Sequence, residues 1–365
     1  MEKLALTTIS VSGTPAQLGH GQGEAMRHLI DGFVQMRLDA AQGFFDELGR
    51  GSLSELLCVG RQSLDTFRRW DAAAYAEHMA IAEAANVDPV ALFTTGNMTD
   101  MRDVVSYNLR HRGPEPADAE GCSMVLTPGA CTTDGANMVG QTWDLNPGDV
   151  DYVVGVHRLP DDAPETWSVT VCGCPSLVGM NEHGICTGTT NIKTWGARVG
   201  VGYMNILHRV LGQRGFDAAA QVITGAPRSG AHTYWLASPE RVSDWETTPD
   251  SAIRRDAVEA PIWRTNHCLN PSHQRDEGVE ASPSSLARFE RIGETLSQGP
   301  MDRARLTSLF SDRSDGVDSI NRYKEDDQGT ATNSVLIMVP ERRELWACRG
   351  PADRGQWQRL DFQRA

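Results

Sequence analysis

The sequence lacks the features that direct a chain to metals, membranes or nucleic acids. Its eight cysteines include no CxxC pair, so the pattern of a zinc ribbon is absent. No run of about eighteen apolar residues is present to span a bilayer. Basic residues are fewer than acidic ones, 34 against 48, and no Lys/Arg-rich run occurs. Because nucleic-acid affinity depends on cations that neutralise phosphates, this balance argues against a nucleic-acid partner.

Targeting signals and repeats are also missing. Residues 1–8 contain no long apolar stretch of the kind found in secretory signals, and we therefore expect a cytoplasmic protein. In that compartment the cysteines are expected to be mostly reduced and often buried. Hydrophobic residues make up 40% and charged residues 22% of the 365 positions. This is the composition of an ordinary globular protein that is long enough to bury a sizeable core.

The hydrophobic pattern changes from helical to strand-like along the chain. A short strand is predicted at 4–12, and apolar residues then recur at three- and four-residue steps. The helices predicted from this spacing cover 15–48, 53–69, 71–85 and 89–97. From residue 122 onward, short apolar runs separated by turns predict an antiparallel sheet. Further helices at 203–223, 284–297 and 301–310, followed by strands at 333–340 and 343–348, indicate an α+β fold with helices on the sheet faces.

Gly121-Cys122 stands between these two regions. It follows a polar, proline-containing loop at 106–120 and directly precedes a predicted strand. A chain that cut itself here would expose Cys122 as a new N-terminus with its own base. An α-amine titrates at about 7.7–8.0, so a useful fraction is neutral near pH 7–8 and accepts the thiol proton. The alternative interpretation is a small buried cysteine in a strand.

Further short motifs follow and precede this pair in a fixed order. They are Glu77 to Val87 before the proposed cut, Gly140-Gln141-Thr142-Trp143-Asp144, Gly179 to Ile185, Arg264-Thr265-Asn266-His267-Cys268, and Ser285 to Arg291 with its Ser-x-x-Arg-x-x-Arg spacing. Together with Gly121-Cys122-Ser123 they resemble the penicillin (isopenicillin N) acyltransferase-like family of N-terminal-nucleophile hydrolases. Two positions differ from the family pattern, because Thr142 stands where asparagine is usual and Cys268 replaces an aromatic residue.

The resemblance implies an αββα sandwich with a mostly helical N-terminal segment and autocatalytic cleavage between Gly121 and Cys122. The products would be a small chain, 1–121, and a large chain, 122–365, held together as a heterodimer. The implied activity is cleavage or exchange of an amide bond in a small acylated amine. No cofactor and no metal are expected, and the expected partner is the small-molecule substrate.

Three residues receive catalytic roles from this resemblance. Cys122 is the expected nucleophile, first on the Gly121 carbonyl and then on a substrate amide, with its own amine as base. Asn266 is expected to donate a side-chain N–H to the oxyanion, and Asp144 a backbone N–H. The Asp144 carboxylate is also a candidate for orienting the Cys122 amine. The structural alternatives are a turn for Asn266 and a strand-end cap for Asp144.

Other candidates remain open at this point. Asn181 and Glu182 either line the substrate pocket or form a plain hairpin turn. Thr330, Thr332 and Ser334 compete for the place of a hydroxyl residue near the nucleophile. Arg288 is interpreted as part of a structural ion pair, and His267 as structural. Cys172-Gly173-Cys174 is a weak indication of metal or thiol chemistry.

Three functions are therefore considered. The first is a self-processing amidohydrolase that converts an N-acylated amine to acid and amine. The second is an acyltransferase with the same site, in which a second amine takes the acyl group. The third is a protein that never cleaves itself and serves as a binding or cyclising module. The sequence does not separate hydrolysis from transfer, because the acceptor depends on the shape of the pocket and on the exclusion of water.

Overall fold

The computed structural model describes residues 3–49, 51–106 and 121–363. The predicted loop at 106–120 therefore lies almost entirely outside the described residues. Strand β1 (Thr7–Gly13) begins the first region, and the rest of it is helical. Its helices are α1 (Pro15–Ala25), α2 (Arg27–Leu48), α3 (Leu53–Trp70), α4 (Ala72–Ala85), α5 (Pro89–Gly96) and α6 (Met98–Ser106).

The second region contains most of the strands. They are β2 (Gly121–Thr127), β3 (Met138–Leu145), β4 (Val153–Pro160), β5 (Thr166–Val171), β6 (Val178–Asn181), β7 (Cys186–Asn191), β8 (His232–Ala237), β9 (Val242–Thr247), β10 (Ala252–Asp256), β11 (Ile262–Arg264), β12 (Ala331–Val339), β13 (Glu344–Arg349) and β14 (Gln358–Arg359). The helices between them are α7 (Tyr203–Leu211), α8 (Phe216–Gly225), α9 (Pro271–Gln274), α10 (Pro283–Ser297) and α11 (Arg303–Phe310).

Two sheets form the middle of the protein. An eight-stranded sheet has the order β1-β4-β5-β6-β7-β8-β9-β10, and a six-stranded sheet has the order β11-β2-β3-β12-β13-β14. All pairs are antiparallel except β1 with β4, which is parallel. The N-terminal strand is therefore an integral edge strand of the larger sheet, which the hairpin pattern of the sequence did not predict.

Alternate residues of the central strands face different layers. In β12, Val335 and Ile337 pack in a cluster with Leu306 and Phe310 of α11, whereas Leu336 and Met338 belong to the cluster between the sheets. Since side chains alternate across a strand, such a strand is apolar on both faces. The helices α10 and α11 thus cover the six-stranded sheet, and the helices α7 and α8 cover the eight-stranded one. The predicted αββα sandwich is confirmed.

The helical region differs from its prediction at two places. The helix predicted over 15–48 is interrupted at Met26, which leaves helical geometry with φ −123° and ψ 17°. This break lets α1 lie directly on α4, where a Cβ at Gly19 would come within 2.1 Å of the Glu77 carbonyl oxygen. The second difference is α6, which follows α5 without having been predicted. Ser52 caps α3, because its hydroxyl accepts the Glu55 amide at 3.2 Å. Over the described residues, no helix combines the length and apolar character needed to cross a bilayer.

Buried polar contacts join the N-terminal helices to the second region. Arg37 of α2 binds Asp149 with two hydrogen bonds of 2.7 Å, and Glu77 of α4 accepts one of 2.7 Å from Arg158 of β4. Asp100 of α6 contacts His232 of β8 at 2.9 Å. Because breaking a buried pair leaves an uncompensated charge, these contacts fix where the helices lie on the sheet.

Glu77 makes the stability of this junction sensitive to acid. Burial alone would raise its pKa, but Arg158 and His208 outweigh that effect and hold the pKa at about 2, against 4.5 for an ordinary glutamate. The stabilisation is therefore fully present above pH 4.5 and is lost as the pH falls toward 2. A shift of this size corresponds to about 3 kcal/mol, at about 1.4 kcal/mol per pKa unit.

We expect the Glu77→Gln variant to lose this contribution to the pH dependence. Urea titrations at a series of pH values between about 6 and 3 measure it as the slope of the free energy of unfolding against pH. Glu83→Gln is the matched control, since Glu83 lies on the exposed side of the same helix. An acid dependence that is equally steep in the wild type and in Glu77→Gln would contradict this role.

Candidate active site

Cys122 is the second residue of β2 and lies on the face that packs between the sheets. It pairs with Trp143 of β3, and its side chain belongs to the same buried cluster as Met124 and Leu126. Its backbone N–H donates to Asn266 Oδ1 at 2.9 Å. Its carbonyl accepts from Arg288 Nη1 at 2.7 Å. Both backbone polar groups of the predicted nucleophile are therefore held by side chains, one from α10 and one from the loop after β11.

Gly121, the residue before the predicted nucleophile, occupies a position where a side chain would not fit easily. A Cβ built there would lie 2.6 Å from Arg322 Nη1 and 3.3 Å from Asp144 Cβ. Gly121 also pairs directly with Asp144 across β2 and β3. The absence of a side chain thus lets the Gly121-Cys122 peptide bond lie against two charged groups of opposite sign.

Arg288 is placed in the site, and not in the structural ion pair that its sequence context indicated. It is only 1% exposed and donates to the Cys122 carbonyl, to Ser123 Oγ at 2.9 Å and to Asn266 Oδ1 at 2.9 Å. Burial lowers its pKa to about 10, with a further contribution from Arg322, while Asp144 and Cys122 oppose the shift. The guanidinium is therefore still a cation at neutral pH and supplies positive charge beside Cys122.

Asn266 is oriented without ambiguity by its neighbours. Its Oδ1 accepts from the Cys122 amide and from Arg288, and its Nδ2 donates to the Asn191 carbonyl at 3.0 Å. A flipped amide would place N–H groups against two donors. In the structure the Asn266 oxygen faces the Cys122 nitrogen, and the predicted N–H donation to an oxyanion stays a prediction.

The loop that carries Asn266 is fastened by α10. Ser285 Oγ accepts the Asn266 backbone amide at 2.9 Å and lies 2.8 Å from His267 Nδ1. Burial, with Arg264 and Arg288 nearby, lowers the pKa of His267 to about 4, so the imidazole is neutral at pH 7. The Ser-x-x-Arg spacing of the motif thus has a physical meaning: Ser285 holds the loop, and Arg288, one turn later, reaches the nucleophile.

Asp144 lies at the end of β3 among hydroxyl and guanidinium groups. Its Oδ2 accepts from Thr142 Oγ1 at 3.2 Å, and Thr332 also hydrogen-bonds to the carboxylate. Burial raises its pKa, although Arg288 and Arg322 act against that shift. Within the part of the chain that is described, Asp144 Oδ1 has no hydrogen-bond partner. This oxygen is an unused acceptor close to the start of β2.

Thr142 fills the position at which the family usually has asparagine. Its hydroxyl accepts the Ser123 amide at 3.0 Å while donating to Asp144. One threonine hydroxyl can do both because it is donor and acceptor at once. The substitution therefore keeps a link between β2 and the Asp144 carboxylate.

Of the remaining candidate residues, Thr332 lies at the site beside Asp144, whereas the hairpin residues lie away from Cys122. Thr332 is paired with Asp144 and accepts the Arg322 amide at 3.0 Å, whereas Ser334 lies farther along β12, opposite Trp143. Asn181 is not brought to Cys122. Its Oδ1 accepts two turn amides, from His183 and Ile185, and its Nδ2 donates to two carbonyls at the end of α7. Asn181 and Glu182 form the hairpin turn, and neither lines the cavity beside Cys122.

A cavity of about 20 Å³ lies in front of Cys122, enough for roughly one water molecule. The residues that line it are Thr99, Gly121, Cys122, Trp143, Asp144, Leu145, Leu177, Thr189, Asn191, Tyr203, His232 and Asn266. Larger cavities of about 240 and 340 Å³ lie elsewhere, around α7 and α8, but no cysteine lines them. The chemistry of the lining side chains, and not cavity size, singles out the small cavity as the candidate active site.

Cys172 and Cys174 offer no comparable chemistry. Both thiols are buried, and burial raises the pKa of Cys174 to about 12 and that of Cys172 further still. Among the described residues no group of His, Cys, Asp and Glu has the arrangement of a metal site.

The fold and site together define the class. The protein is an αββα sandwich with a buried cysteine at the start of a central strand, directly after a glycine that has no room for a side chain. The sequence model of the acyl-coenzyme A:6-aminopenicillanic acid acyl-transferase family matches residues 131–353. The chain belongs to this family, as its motifs indicated.

Solved structures with low sequence identity are similar to this chain. Penicillin V acylase from Agrobacterium tumefaciens is 11% identical over 67% of this chain and 87% of its own, with a TM-score of 0.43. A mutant of conjugated bile acid hydrolase from Clostridium perfringens is 10% identical over 66% of this chain and 97% of its own, with a TM-score of 0.38. The family assignment rests on the family match and not on these structures.

Proposed function

We propose that the chain is a self-cleaving amidohydrolase that acts on a small N-acylated amine through a thioester on Cys122. The observation that carries this proposal is the clamp on Cys122, in which Asn266 Oδ1 accepts its N–H and Arg288 donates to its carbonyl. On this side of β2 the neighbouring strand β11 ends opposite Met124, so side chains of Asn266 and Arg288 bind the Cys122 backbone in place of a strand. Membership of an acyl-transferase family supports the same chemistry.

The first reaction occurs within the chain. The Cys122 sulfur attacks the Gly121 carbonyl carbon, the bond from that carbon to the Cys122 nitrogen breaks, and the nitrogen takes up a proton to become an amine. Asn266 Oδ1 is 2.9 Å from this nitrogen and accepts from it before and after the break. Water then hydrolyses the thioester, which leaves a carboxylate on Gly121 and a free thiol on Cys122.

The second reaction uses the new N-terminus. The Cys122 amine takes the thiol proton, the sulfur attacks the substrate amide, and the leaving amine carries away the proton that the ammonium group returns. Asp144 Oδ1, which has no partner among the described residues, is available to accept from the ammonium group. Arg288, a buried cation, stabilises negative charge at the sulfur and the oxyanion. Water finally hydrolyses the acyl thioester.

The experiment that tests this proposal follows the purified protein with a panel of N-acyl anilides by denaturing intact-mass spectrometry. We expect two chains, with the second beginning at Cys122, and an acid-quenched sample in which that second chain has gained the mass of the acyl group. A chain that stays whole through long incubation and gains no acyl mass would refute the proposal.

Acyl transfer is the second candidate, and the name of the matched family favours it. The acyl-enzyme is the same in both reactions, so the two functions differ only in what attacks it. Adding a competing primary amine during turnover separates them. New amide at the expense of free acid indicates a transferase, and unchanged acid release indicates a hydrolase.

A further inference from the structure

Strand β1 differs from the other three strands that form the edges of the two sheets. Strand β10 carries Arg254, Arg255 and Asp256, whereas β11 and β14 are only three and two residues long. Short edges and charged edges are devices that prevent a sheet from pairing with another chain. Strand β1 has neither device, since it is seven residues long and its sequence, Thr-Thr-Ile-Ser-Val-Ser-Gly, contains no charge.

The register of β1 shows which of its backbone groups point away from the sheet. The Gly13 carbonyl accepts the Asp161 N–H at 3.1 Å, so the backbone groups of Gly13 point toward β4. The pairing with β4 continues without a bulge along the whole strand, and backbone groups alternate in direction from one residue to the next. Those of Thr8, Ser10 and Ser12 therefore point away from β4. Over the described residues, β4 is the only strand that pairs with β1.

Helix α1 leaves this outer edge open. It covers one face of β1, where a Cβ at Gly21 would lie 3.1 Å from Val11 Cγ1, and it packs mainly against α4 through Gly19. Helix α4 lies toward the interior of the sheet, because Glu77 binds Arg158 of β4. The side chains of the three outward-pointing residues are exposed. The edge of β1 is therefore accessible to a further strand.

We infer that β1 is a dimerisation surface, to which a second copy of this chain adds its own β1 in antiparallel orientation about a two-fold axis. An uncharged strand pairs with its own copy without repulsion, and under two-fold symmetry the same patch serves on both molecules. The register that overlaps all seven residues places Ser10 on the axis and Thr8 opposite Ser12 of the second copy. All outward backbone groups then pair, and the two eight-stranded sheets become continuous.

The charges beyond the ends of β1 favour the antiparallel orientation. Lys3 precedes the strand and is exposed, and Asp161, which binds Gly13 at the other end, is exposed together with Asp162. In an antiparallel pair the start of one strand lies at the end of the other, so the lysine of each copy approaches the carboxylates of its partner. A parallel pair would bring like charges together. The inference is independent of the proposed activity, because β1 pairs with β4 whether or not Gly121-Cys122 is cut.

Light scattering after size-exclusion chromatography tests the inference on the purified protein, with the 365-residue chain, cut or uncut, as the unit of mass. We expect the mass to rise from one unit toward two between about 1 and 200 μM protein, with a Kd of about 10 μM, since an interface built on one strand pair is small. A mass of one unit over the whole range overturns the inference. A mass that continues to grow beyond two units rejects the two-fold arrangement.

The variant Thr8→Lys/Ser12→Lys identifies the surface. Its lysines lie directly opposite those of the second copy, and like charges at such positions destabilise a strand pair. We expect the Kd to rise by at least about tenfold. Gln35→Lys/Gln42→Lys is the matched control, because it adds the same charge at exposed positions of α2 and should leave the Kd unchanged. A lysine variant of β1 that associates like the wild type shows that the interface lies elsewhere.

Mixing two variants distinguishes a repelled interface from a damaged strand. Thr8→Glu/Ser12→Glu should also be monomeric by itself. When it is mixed with the lysine variant of β1, opposite charges face each other across the axis, and the mixture should associate at least as tightly as the wild type. A mixture that stays monomeric rejects pairing through β1, since both substitutions are at exposed positions that the fold does not need.

Discussion

The Cys122→Ala variant is expected to remain a single chain of 365 residues under conditions in which the wild type separates into 1–121 and 122–365. Alanine removes the sulfur that attacks the Gly121 carbonyl and leaves the strand position small and apolar. Loss of a covalent nucleophile lowers rates by about 10⁴-fold or more, and the variant should therefore show no measurable cleavage or amide hydrolysis. Denaturing intact-mass spectrometry measures the first and acid release the second.

Two further variants make this result specific. Cys131→Ala is the matched control, because Cys131 is partly exposed and its sulfur donates to the Glu259 carbonyl at 3.2 Å, away from the candidate site. It should cleave like the wild type. Cys122→Ser keeps a weaker nucleophile at the same place and should cleave slowly. Cleavage of Cys122→Ala at the wild-type position would show that another group, or a contaminating protease, makes the cut.

Replacing Arg288 should have the second largest effect. The Arg288→Met variant keeps the length of the buried side chain but removes the donors to the Cys122 carbonyl, to Ser123 Oγ and to Asn266 Oδ1. The nucleophile then loses both its anchor and a nearby positive charge. We expect self-cleavage to slow by about 10²- to 10³-fold, the range found when a preorganised donor is removed from an active site. A time course of intact mass gives the rate.

Folding and catalysis are separable in this experiment. Unsatisfied acceptors also lower stability by about 1–3 kcal/mol each, so thermal unfolding is measured first and cleavage is followed well below the transition. Arg288→Lys retains the charge without the fork of donors and should recover part of the rate. Arg291→Met, one turn along α10, removes a partly exposed arginine that pairs with Asp315 and should cleave normally. If Arg288→Met cut itself as fast as Arg291→Met, the clamp would have no part in the reaction.

The sequence was sufficient for the parts of the fold that depend on local pattern. Short apolar runs bounded by turns predicted β2 and β3 and the strand pair β12 and β13, because a strand that is buried on both faces is apolar along most of its length. It could not predict that β1 pairs in parallel with β4, because that contact joins residues about 150 positions apart. The break at Met26 was equally hidden, since the apolar spacing continues through it and only the packing of Gly19 on α4 requires it.

The candidate site, like the fold, could be predicted from the sequence only in part. Cys122, Asp144 and Asn266 were found through motifs that lie at fixed places in a family. Arg288 was in one of those motifs but was interpreted as structural, because the spacing of a helix does not tell which strand its side chain will reach. Asp100 and His232 were missed altogether. They are 132 positions apart in the sequence, and neither belongs to a motif that was considered.

The buried contacts that join α2, α4 and α6 to the second region have a consequence for the molecularity of folding. In the uncut chain, Arg37–Asp149, Glu77–Arg158 and Asp100–His232 form within one molecule. After a cut at Gly121-Cys122, the same contacts, and the pairing of β1 with β4, join two molecules. Unfolding then becomes dissociation, and its midpoint depends on protein concentration, which it does not for the monomeric precursor. The cut would make a unimolecular equilibrium bimolecular without moving a helix.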